Sequence, residues 1–417
     1  MSDVLERADV EQLPLLDRTN DVDGHEFAPP HLWGAVFGPV AARLAPICTP
    51  FAAMMGEDYI VQPGLAGDAA PMTLDNVWSV RSTGAPGAFD MRRRLEAMDL
   101  MGIRRQLIFP SYALFAQMMS TMSETGGGAA LSETMQEMLC AGLSRAEARQ
   151  LGLDAIDEYN EWAIATAAID PDRLRPVGML KQSDSVEEMV EQARYLLGRG
   201  LRGVLINTGV PPAGVSPAAE AFDPFWALFA EADVPVLAHL GGDMGFLASS
   251  QWSAAEAFVP HKLGLEVGLE TYSYSTVHLC ITHWLTVMVM GGVFERHPRL
   301  RFGAIELGGH WLGPLADNLD MWAGTLFARR IKATLSKKPS DYLASNLRVT
   351  PHNIIEPVAD FLTRYPHLAS CYCFSTDYPH LEGGADIKAK VREMLKPLGE
   401  EALEAYFVRN GEWLLPG

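Results

Sequence analysis

Histidines and carboxylic acids stand together at several separate points of the 417-residue sequence, each directly after a short apolar run. Imidazole and carboxylate groups are the ligands that divalent metal ions take from proteins, and the same groups carry protons in catalysis. One such residue alone is more often part of the core or the surface. The set comprises Asp23, His25 and Glu26 in "DVDGHEF", His239 in "VLAHLGG", Glu306 and His310 in "AIELGGH", and Asp377 and His380 in "FSTDYPH".

The apolar runs are predicted strands, and a predicted helix follows each of them. The first strand ends at His25, and seven more are predicted over Arg104–Ser111, Leu174–Leu180, Arg202–Thr208, Val234–Gly242, Arg301–Glu306, Leu347–His352 and Cys371–Asp377. Such alternation favours an α/β fold with a parallel sheet, and eight units favour a closed (β/α)8 TIM barrel. No G-x-G-x-x-G motif follows a strand, which disfavours a dinucleotide-binding fold. Because the carboxyl ends of barrel strands meet at one mouth, we expect the histidines and carboxylates to converge there.

Two parts of the chain do not fit a minimal barrel. Residues 1–20 are predicted to be a poorly ordered leader, and residues 21–417 are predicted to form one barrel domain. A helical and loop insertion is predicted at about Ala113–Tyr159, after the second strand. Loops at this end of a barrel build active sites, so the insertion is a candidate lid or substrate wall. A solvated excursion or a subunit contact is the alternative interpretation.

Composition narrows the class of partner. The chain is 48% hydrophobic and 20% charged, and its net charge of −19 disfavours nucleic acid and anionic membranes as partners. It has no run of about twenty apolar residues, and its acidic N-terminus lacks the features of a secretory signal. The five cysteines are odd in number and scattered, which fits reduced thiols. The predicted location is therefore the cytoplasm.

Four blocks of the sequence resemble a known family. The blocks "GVLINT", "FDPFWALFAEADVPVLAHLGG", "GGVFERHPRLRFGAIELGGHWL" and "FSTDYPH" look like the amidohydrolase superfamily, in its branch related to aminocarboxymuconate semialdehyde decarboxylase. The resemblance extends from about Asp21 onward and implies a metal-dependent barrel. It implies that His25 is the first histidine of a His-x-His metal pair and that His239 is a ligand on the fifth strand. It also implies that Asp377 on the eighth strand binds metal and handles protons.

The chain departs from the family pattern at two positions. Phe27 stands where the second histidine of the pair is expected, and Glu306 replaces the histidine of the sixth strand. Decarboxylases of this branch tend to keep that histidine, so its replacement counts against decarboxylation. Glu26 is predicted as a ligand if the backbone turns after His25, because side chains alternate along a regular strand. Glu306 is predicted as a ligand or proton relay, the alternative being a carboxylate paired with an arginine of Arg92–Arg94.

These observations predict a divalent-metal-dependent, amidohydrolase-like enzyme in which metal-activated water cleaves a C–N or C–C bond of a small organic substrate. Asp377 would accept the proton of the water, and Glu306 or His310 would deliver one to the leaving group. Asp23 is predicted to orient the ring of His25 without binding the metal. The predicted metal ligands are His25, Glu26, His239, Glu306 and Asp377, and the predicted catalytic residues are Asp377, Glu306 and His310.

Two alternatives remain open. If Glu26 and Glu306 both bind metal, the mixed ligands suit two iron or manganese ions, and the chain is a non-heme di-metal oxygenase with a reductase or ferredoxin as electron donor. The second alternative is a catalytically silent partner subunit that keeps the barrel. The predicted cofactor is zinc, manganese or iron, with one or two ions per chain. The predicted assembly is a homodimer or a hetero-oligomer with a paralogous subunit.

Overall fold

A computed structural model describes residues 18–56, 60–121, 133–241, 252, 254–258, 271–353 and 355–417. Its strands are all parallel and are buried except at Arg104, and they form two hydrogen-bonded sets in chain order, β1-β2-β3 and β4-β5-β6-β7-β8. The strands are β1 (Thr19–His25), β2 (Ile103–Phe109), β3 (Leu174–Pro176), β4 (Gly178–Met179), β5 (Val204–Leu205), β6 (Val236–His239), β7 (Phe302–Ile305) and β8 (Leu347–Val349). Strand β1 therefore begins two residues before the predicted start of the barrel, and residues 1–17 of the predicted leader lie outside the described residues.

The two sets of strands are joined through the predicted third strand, which the structure divides into β3 and β4. Strand β3 pairs with β2, and β4 pairs with β5. Val177, between them, still donates its backbone N–H to Ile108 of β2, and the next amide, of Gly178, donates to Gly203 beside β5. The extended segment from β3 to β4 thus bonds first to β2 and then to β5. This keeps the sheet continuous.

The residues from Cys371 to Tyr378, here called the closing segment, join the two edges of the sheet. Tyr372 bridges to Val349 of β8, and Tyr378 bridges to Gly24 of β1. The predicted eighth strand is therefore in place, but it is not a regular strand. Some of its amides bond to neighbouring strands, but Phe374 N–H donates to the Tyr406 carbonyl and Thr376 N–H donates to a side chain of β1. The sheet closes, as predicted for a (β/α)8 barrel.

The helices surround this sheet. They are α1 (Trp33–Val36), α2 (Pro39–Gly56), α3 (Leu74–Ser79), α4 (Met91–Met101), α5 (Tyr112–Ser120), α6 (Glu133–Cys140), α7 (Arg145–Ala167), α8 (Val186–Gly198), α9 (Asp223–Ala232), α10 (Thr271–Thr276), α11 (His278–Met290), α12 (Val293–Arg296), α13 (Leu312–Gly324), α14 (Ala328–Ile331), α15 (Pro339–Asn346), α16 (Val358–Arg364), α17 (Ile387–Leu395), α18 (Glu400–Glu404) and α19 (Asn410–Leu414). The periodicity after about Thr276 predicts one helix to Phe294, but the structure ends α11 at Met290. Gly292 has a φ of 77°, a left-handed conformation that favours glycine and interrupts a helix.

The predicted insertion at about Ala113–Tyr159 corresponds to α5, α6 and part of α7, and residues 122–132 of it lie outside the described residues. Helices α5 and α7 cross closely at Gly152. A Cβ added there would lie 2.6 Å from the Ala116 carbonyl oxygen and 2.7 Å from the Ser120 nitrogen. Because both atoms belong to the backbone of α5, only glycine fits at this crossing. Among the described helices, none combines the length and apolar character needed to cross a membrane.

Candidate metal centre

Two imidazoles and three carboxylates meet at the carboxyl ends of the strands. His25 Nε2 lies 3.5 Å from Asp23 Oδ1, 3.4 Å from Asp377 Oδ1 and 4.0 Å from Glu306 Oε2. His239 Nε2 lies 3.3 Å from Asp23 Oδ1 and 3.2 Å from Glu306 Oε2. Donors about 2.1 Å from one metal ion lie roughly 3 to 3.5 Å from each other, so these separations suit shared coordination.

Asp23 and His25 reach this group together because they are two positions apart on β1. Side chains alternate along a strand, so residues i and i+2 project on the same side. Gly24 between them faces the opposite side, where a Cβ would lie 2.6 Å from the Gln106 side-chain nitrogen. Asp23 and His25 are therefore the two residues of β1 that reach the carboxylate group together. Asp23 had been predicted only to orient His25, and the alternation was the signal that could have identified it.

The tautomer of His239 is fixed by its backbone. Its Nδ1 lies 2.9 Å from the carbonyl oxygen of Leu240, which can only accept, so Nδ1 carries a proton. In a neutral ring Nε2 then carries a lone pair and no proton, yet this atom faces carboxylate oxygens of Asp23 and Glu306. A lone pair opposite two carboxylates is unfavourable unless a positive charge lies between them. A proton or a metal cation at this point relieves the repulsion.

His25 is fully enclosed and has the properties of a neutral ligand. Burial, followed by the charge of His380, lowers the pKa of His25 to about 3, so the ring is uncharged at neutral pH. Its Nδ1 lies 3.3 Å from Ser111 Oγ, while its buried Nε2 makes no hydrogen bond within the described residues. When Nδ1–H is donated to Ser111, the lone pair of Nε2 faces the carboxylates. A buried, unsatisfied imidazole nitrogen among carboxylates fits a missing cation.

Asp23 is the one carboxylate of this group whose Oδ1 lies within 3.5 Å of both imidazoles. Burial alone would raise the pKa of its carboxyl, but the close imidazoles of His239 and then His25 outweigh that effect and hold the pKa at about 2. Asp23 is therefore ionised throughout the neutral range. A buried carboxylate of this kind needs compensating positive charge close by.

Glu306 and Asp377 project into the group from left-handed backbone conformations, with φ values of 56° and 51°. Such conformations are uncommon for residues other than glycine and persist only when neighbouring groups hold them. Glu306 N–H donates to Thr350 Oγ1 at 2.7 Å, and Asp377 N–H donates to the Asp23 carbonyl at 2.8 Å. Neighbouring strand ends thus hold both carboxylates above the barrel.

Glu26 does not join this group. Its Oε1 accepts the backbone N–H groups of Ser111 at 2.7 Å and Tyr112 at 3.1 Å, at the start of α5. Burial raises the pKa of Glu26 to about 8, although these two amides act in the opposite direction. The prediction that Glu26 binds metal is therefore not supported. The alternation of side chains after His25 continues through Glu26 and directs it away from the carboxylates.

The predicted proton carrier His310 and the neighbouring histidine of the sequence set, His380, occupy different places. His380 lies against the ring of His25, with ring centroids 4.2 Å apart, and its Nε2 is 3.1 Å from Ser111 Oγ. His310 bonds through Nδ1 to Glu356 Oε1 at 2.7 Å. Glu356 follows β8, and sequence analysis did not identify it because it belongs to a loop and ends no strand.

Two of the three arginines named as alternative partners of Glu306 bond to other groups. Arg93 forms an ion pair with Asp68. Arg94 is fully buried and donates from Nη2 to the carbonyl oxygen of His25 at 2.6 Å. Arg94 thus holds the backbone of His25 in place, and its guanidinium group is hydrogen-bonded beneath the site.

A small pocket of about 30 Å³ opens over the group. Three of the carboxylates line it, and its other walls come from the loop after β8, the closing segment and the loop that follows. The lining residues are Asp23, Glu306, Thr350, Pro351, His352, Asn353, Ser375, Asp377 and Gly383. Side-chain exposure within the group is greatest for Glu306, at 14%, so its carboxylate is the one most accessible to a ligand.

The chain belongs to the amidohydrolase family, whose model matches residues 132–416, more than half of its length. The resemblance deduced from its sequence blocks is thereby confirmed, and the chain is an enzyme of the amidohydrolase superfamily. Solved structures agree on the barrel. An amidohydrolase from Mycobacterium avium subsp. paratuberculosis has a TM-score of 0.60 at 19% identity, covering 95% of this chain and 99% of that chain.

Two further structures are similar to this chain and bear the names of decarboxylases. The 5-carboxyvanillate decarboxylase of Novosphingobium aromaticivorans, solved with manganese, has a TM-score of 0.54 at 18% identity, covering 95% of this chain and 96% of that one. The 2,6-dihydroxybenzoate decarboxylase from Rhizobium has a TM-score of 0.53 at 14% identity, covering 95% and 98%. The predicted divalent metal agrees with the manganese in such structures and with the two ligand groups found here, Asp23, His25 and His239, and His25, Glu306 and Asp377.

Proposed function

We propose that this protein is a divalent-metal-dependent enzyme that cleaves a C–C or C–N bond of a small organic substrate without net oxidation. One observation carries the proposal. Asp23, His25, His239, Glu306 and Asp377 converge from three strand ends and the closing segment, with the protonated Nδ1 of His239 leaving its Nε2 directed at two carboxylates. This donor set mixes imidazole and carboxylate and suits manganese, zinc or iron.

The residues of the two ligand groups would hold the cation. A divalent cation there supplies a Lewis acid that polarises the substrate and makes water a better nucleophile at neutral pH. Asp377 lines the pocket and would accept a proton on a carboxylate oxygen. Glu306, with the most exposed carboxylate of the group, would return that proton to the leaving group.

Decarboxylation of an aromatic acid is the first reaction to test, because two of the similar structures carry that name. In that reaction Glu306, at the end of β7, would donate a proton to the ring carbon that loses carbon dioxide. A carboxylic acid can serve as this donor once it has taken the proton from Asp377. The substrate itself is chosen by side chains above the mouth.

The test combines metal analysis with turnover. The wild-type protein and an Asp377→Ala variant are expressed with manganese, zinc and iron all supplied, and their metal content is measured by elemental analysis. Both proteins are then assayed for release of carbon dioxide from 5-carboxyvanillate and 2,6-dihydroxybenzoate, with and without oxygen. A hydrolysis panel of small amides follows.

We expect about one manganese or zinc per chain in the wild type, loss of that metal in the variant, and turnover that needs no oxygen. Absence of metal from the wild type would overturn the proposal. Two iron or manganese–iron ions per chain, with activity that requires oxygen and an electron donor, would favour the di-metal oxygenase. Metal without turnover on any substrate would favour the silent subunit.

The assembly and the location remain predictions. A dimer is expected from the family resemblance, and sedimentation at micromolar concentration would measure it. The expected cytoplasmic location is tested by fractionation of the producing cell.

A further inference from the structure

A second buried carboxylate, Glu356, organises the loops beside the metal centre. Its two oxygens accept the backbone N–H groups of Gly309 at 2.8 Å, His310 at 3.0 Å and His352 at 2.9 Å. They also accept from His310 Nδ1 at 2.7 Å. Glu356 is only 7% exposed. All of these hydrogen bonds are made to one buried carboxylate, and such bonds are charge-assisted and strong. Glu356 therefore ties the loop after β7 to the loop after β8.

The bond to Nδ1 determines the protonation pattern of the His310 ring. An ionised carboxylate only accepts hydrogen bonds, so Nδ1 of His310 must be the protonated nitrogen. Nε2 of the neutral ring is then an acceptor, and it makes no hydrogen bond to any residue that the structure describes. The side chain of His310 is 49% exposed, so this nitrogen is open to a ligand. A carboxylate that orients a histidine in this way prepares it to take a proton.

The His310 ring stands close to the pocket. A Cβ added to Gly308 would lie 3.1 Å from Glu356 Oε1, 3.2 Å from His352 Cδ2 and 3.3 Å from His310 Nδ1. His352 lines the pocket together with Glu306. Gly308, with a φ of 72°, thus lets the chain turn between Glu306 and His310 while three side chains crowd around it. On its other side, the ring of His310 meets the ring of His278 edge to face, with centroids 4.8 Å apart.

We propose that Glu356 is a positioning residue that holds His310 in its Nδ1–H tautomer, so that His310 Nε2 serves as a proton acceptor at the mouth of the barrel. The proton would come from an acidic group of the bound substrate and be returned to product or solvent, with no other bond changed at His310. Its use in turnover rests on the proposed function, whereas the tautomer does not depend on it.

The tautomer is measured by nitrogen-15 NMR of histidine-labelled protein, with the signals of His310 assigned through a His310→Gln variant. We expect the wild type to show a protonated Nδ1 and an unprotonated Nε2 at pH 8. In Glu356→Gln, the amide can donate to Nδ1, and we expect the signals to move toward the Nε2–H tautomer. An unchanged tautomer in Glu356→Gln, or an Nε2–H ring in the wild type, would overturn the proposal.

Turnover gives the second readout. On whichever panel substrate the wild type converts, we expect Glu356→Gln and His310→Gln to lower kcat at least tenfold, with KM and manganese content within twofold of wild type. Full activity of His310→Gln would refute the proton-accepting role even if Glu356→Gln failed to fold. If the wild type converts none of the substrates, the proposed reaction fails, and the NMR result still decides the role of Glu356.

The chain offers a matched control in another histidine–carboxylate pair. His297 Nε2 lies 3.0 Å from Oδ1 of Asp223, the first residue of α9. Neither residue lines the pocket. His297→Gln removes a hydrogen-bonded histidine of the same kind. We expect this variant to keep wild-type kcat and the wild-type signals of His310. Loss of activity in the control would show that any such pair is needed for folding, and it would remove support for a specific role of Glu356.

Discussion

At the end of β1, the face of the strand on which an acidic side chain lies decides whether it can reach the metal centre. His25 and Asp23 share one face of the strand, and the carboxylate of Glu26 is taken up by the amides that begin α5. The sequence shows an acidic residue on either side of His25, of which Glu26 is the predicted ligand and Asp23 is predicted only to orient the ring. The period of two along a strand favours Asp23, whereas Glu26 required a turn that the structure does not make.

The two acidic neighbours can be separated by paired variants. We expect Asp23→Asn to lower manganese affinity at least tenfold, because it removes an anionic ligand oxygen between the two imidazoles. We expect Glu26→Gln to bind manganese as the wild type does, since its side-chain oxygen can still accept both α5 amides. Isothermal titration of the metal-free proteins measures both affinities. Equal loss in the two variants would contradict this assignment of ligands.

Glu356 gives a second prediction at this scale, in the dependence of stability on pH. Burial would raise the pKa of Glu356, but the hydrogen bonds from His310 and the backbone outweigh it and lower the pKa below its ordinary value of 4.5. A carboxyl with a depressed folded pKa stabilises the protein above its unfolded pKa and loses that contribution as pH falls through its folded pKa. We expect wild type to exceed Glu356→Gln in stability by about 2 kcal/mol at pH 6.

That difference should shrink as the pH falls below 4.5. Urea unfolding of metal-free wild type and Glu356→Gln, from pH 6 down to pH 3, measures it. A gap that stays constant over this range would mean that the carboxylate charge of Glu356 does not contribute to stability.

Among the elements, the closing segment depends on one carboxylate of β1. Asp21 accepts Thr376 N–H at 2.9 Å and Thr376 Oγ1–H at 2.5 Å, and it also accepts Gln106 Nε2 at 2.7 Å. This side chain replaces the backbone acceptor that a regular eighth strand would use. The segment then delivers Asp377 to the metal centre, one residue after Thr376.

We therefore expect Asp21→Ala to destabilise the metal-free protein by about 3 kcal/mol, because it leaves buried donors of Thr376 and Gln106 unsatisfied. Manganese affinity should fall as well, since Asp377 loses its support. Asp172→Ala removes a carboxylate that is 57% exposed and bonded to Arg105, and it should cost less than about 1 kcal/mol. Urea unfolding compares them, and equal losses would contradict the role given to Asp21.

The crossing of α5 and α7 supplies another prediction. Gly152→Ala places a methyl group against two backbone atoms of α5, and we expect it to cost about 1 to 3 kcal/mol. Gly198, in α8, has no atom within 4 Å of an added Cβ. Gly198→Ala should stabilise the protein by about 0.5 to 1 kcal/mol through helix propensity. Thermal unfolding of both variants tests the pair, and opposite signs are the expected result.

For the whole molecule, alternation of strands and helices was sufficient to predict a closed barrel and the convergence of His25, His239, Glu306 and Asp377. Glu356 and Asp21 escaped prediction because their roles depend on packing between segments that are distant in the chain. Glu356 acts on the loop after β7 from the loop after β8, and Asp21 acts on the closing segment, so neither carries a local sequence signal. The length of α11 was overestimated because the Gly291–Gly292 pair interrupts an otherwise apolar helical pattern.

The reactivity of the thiols tests the packing of the whole barrel. Cys48, Cys280, Cys371 and Cys373 are buried, and Cys140 is half-buried. Burial raises the pKa of Cys371 and of Cys373 to about 12, so neither forms a thiolate at pH 8. We expect dithiobis(nitrobenzoate) to modify at most one thiol per native chain within minutes, and five in denaturant. Rapid reaction of two or more native thiols would contradict the closed core.

The hydrogen bonds that close the barrel have a consequence for how the protein is made. Asp21 and Thr376, which bond to each other, are 355 positions apart in the chain. During synthesis the first strand, with the proposed ligands Asp23 and His25, leaves the ribosome long before Asp377 exists. The proposed metal centre therefore cannot be completed on a chain that ends before Asp377. Any chain that stops before residue 377 emerges with exposed strand edges and no finished site.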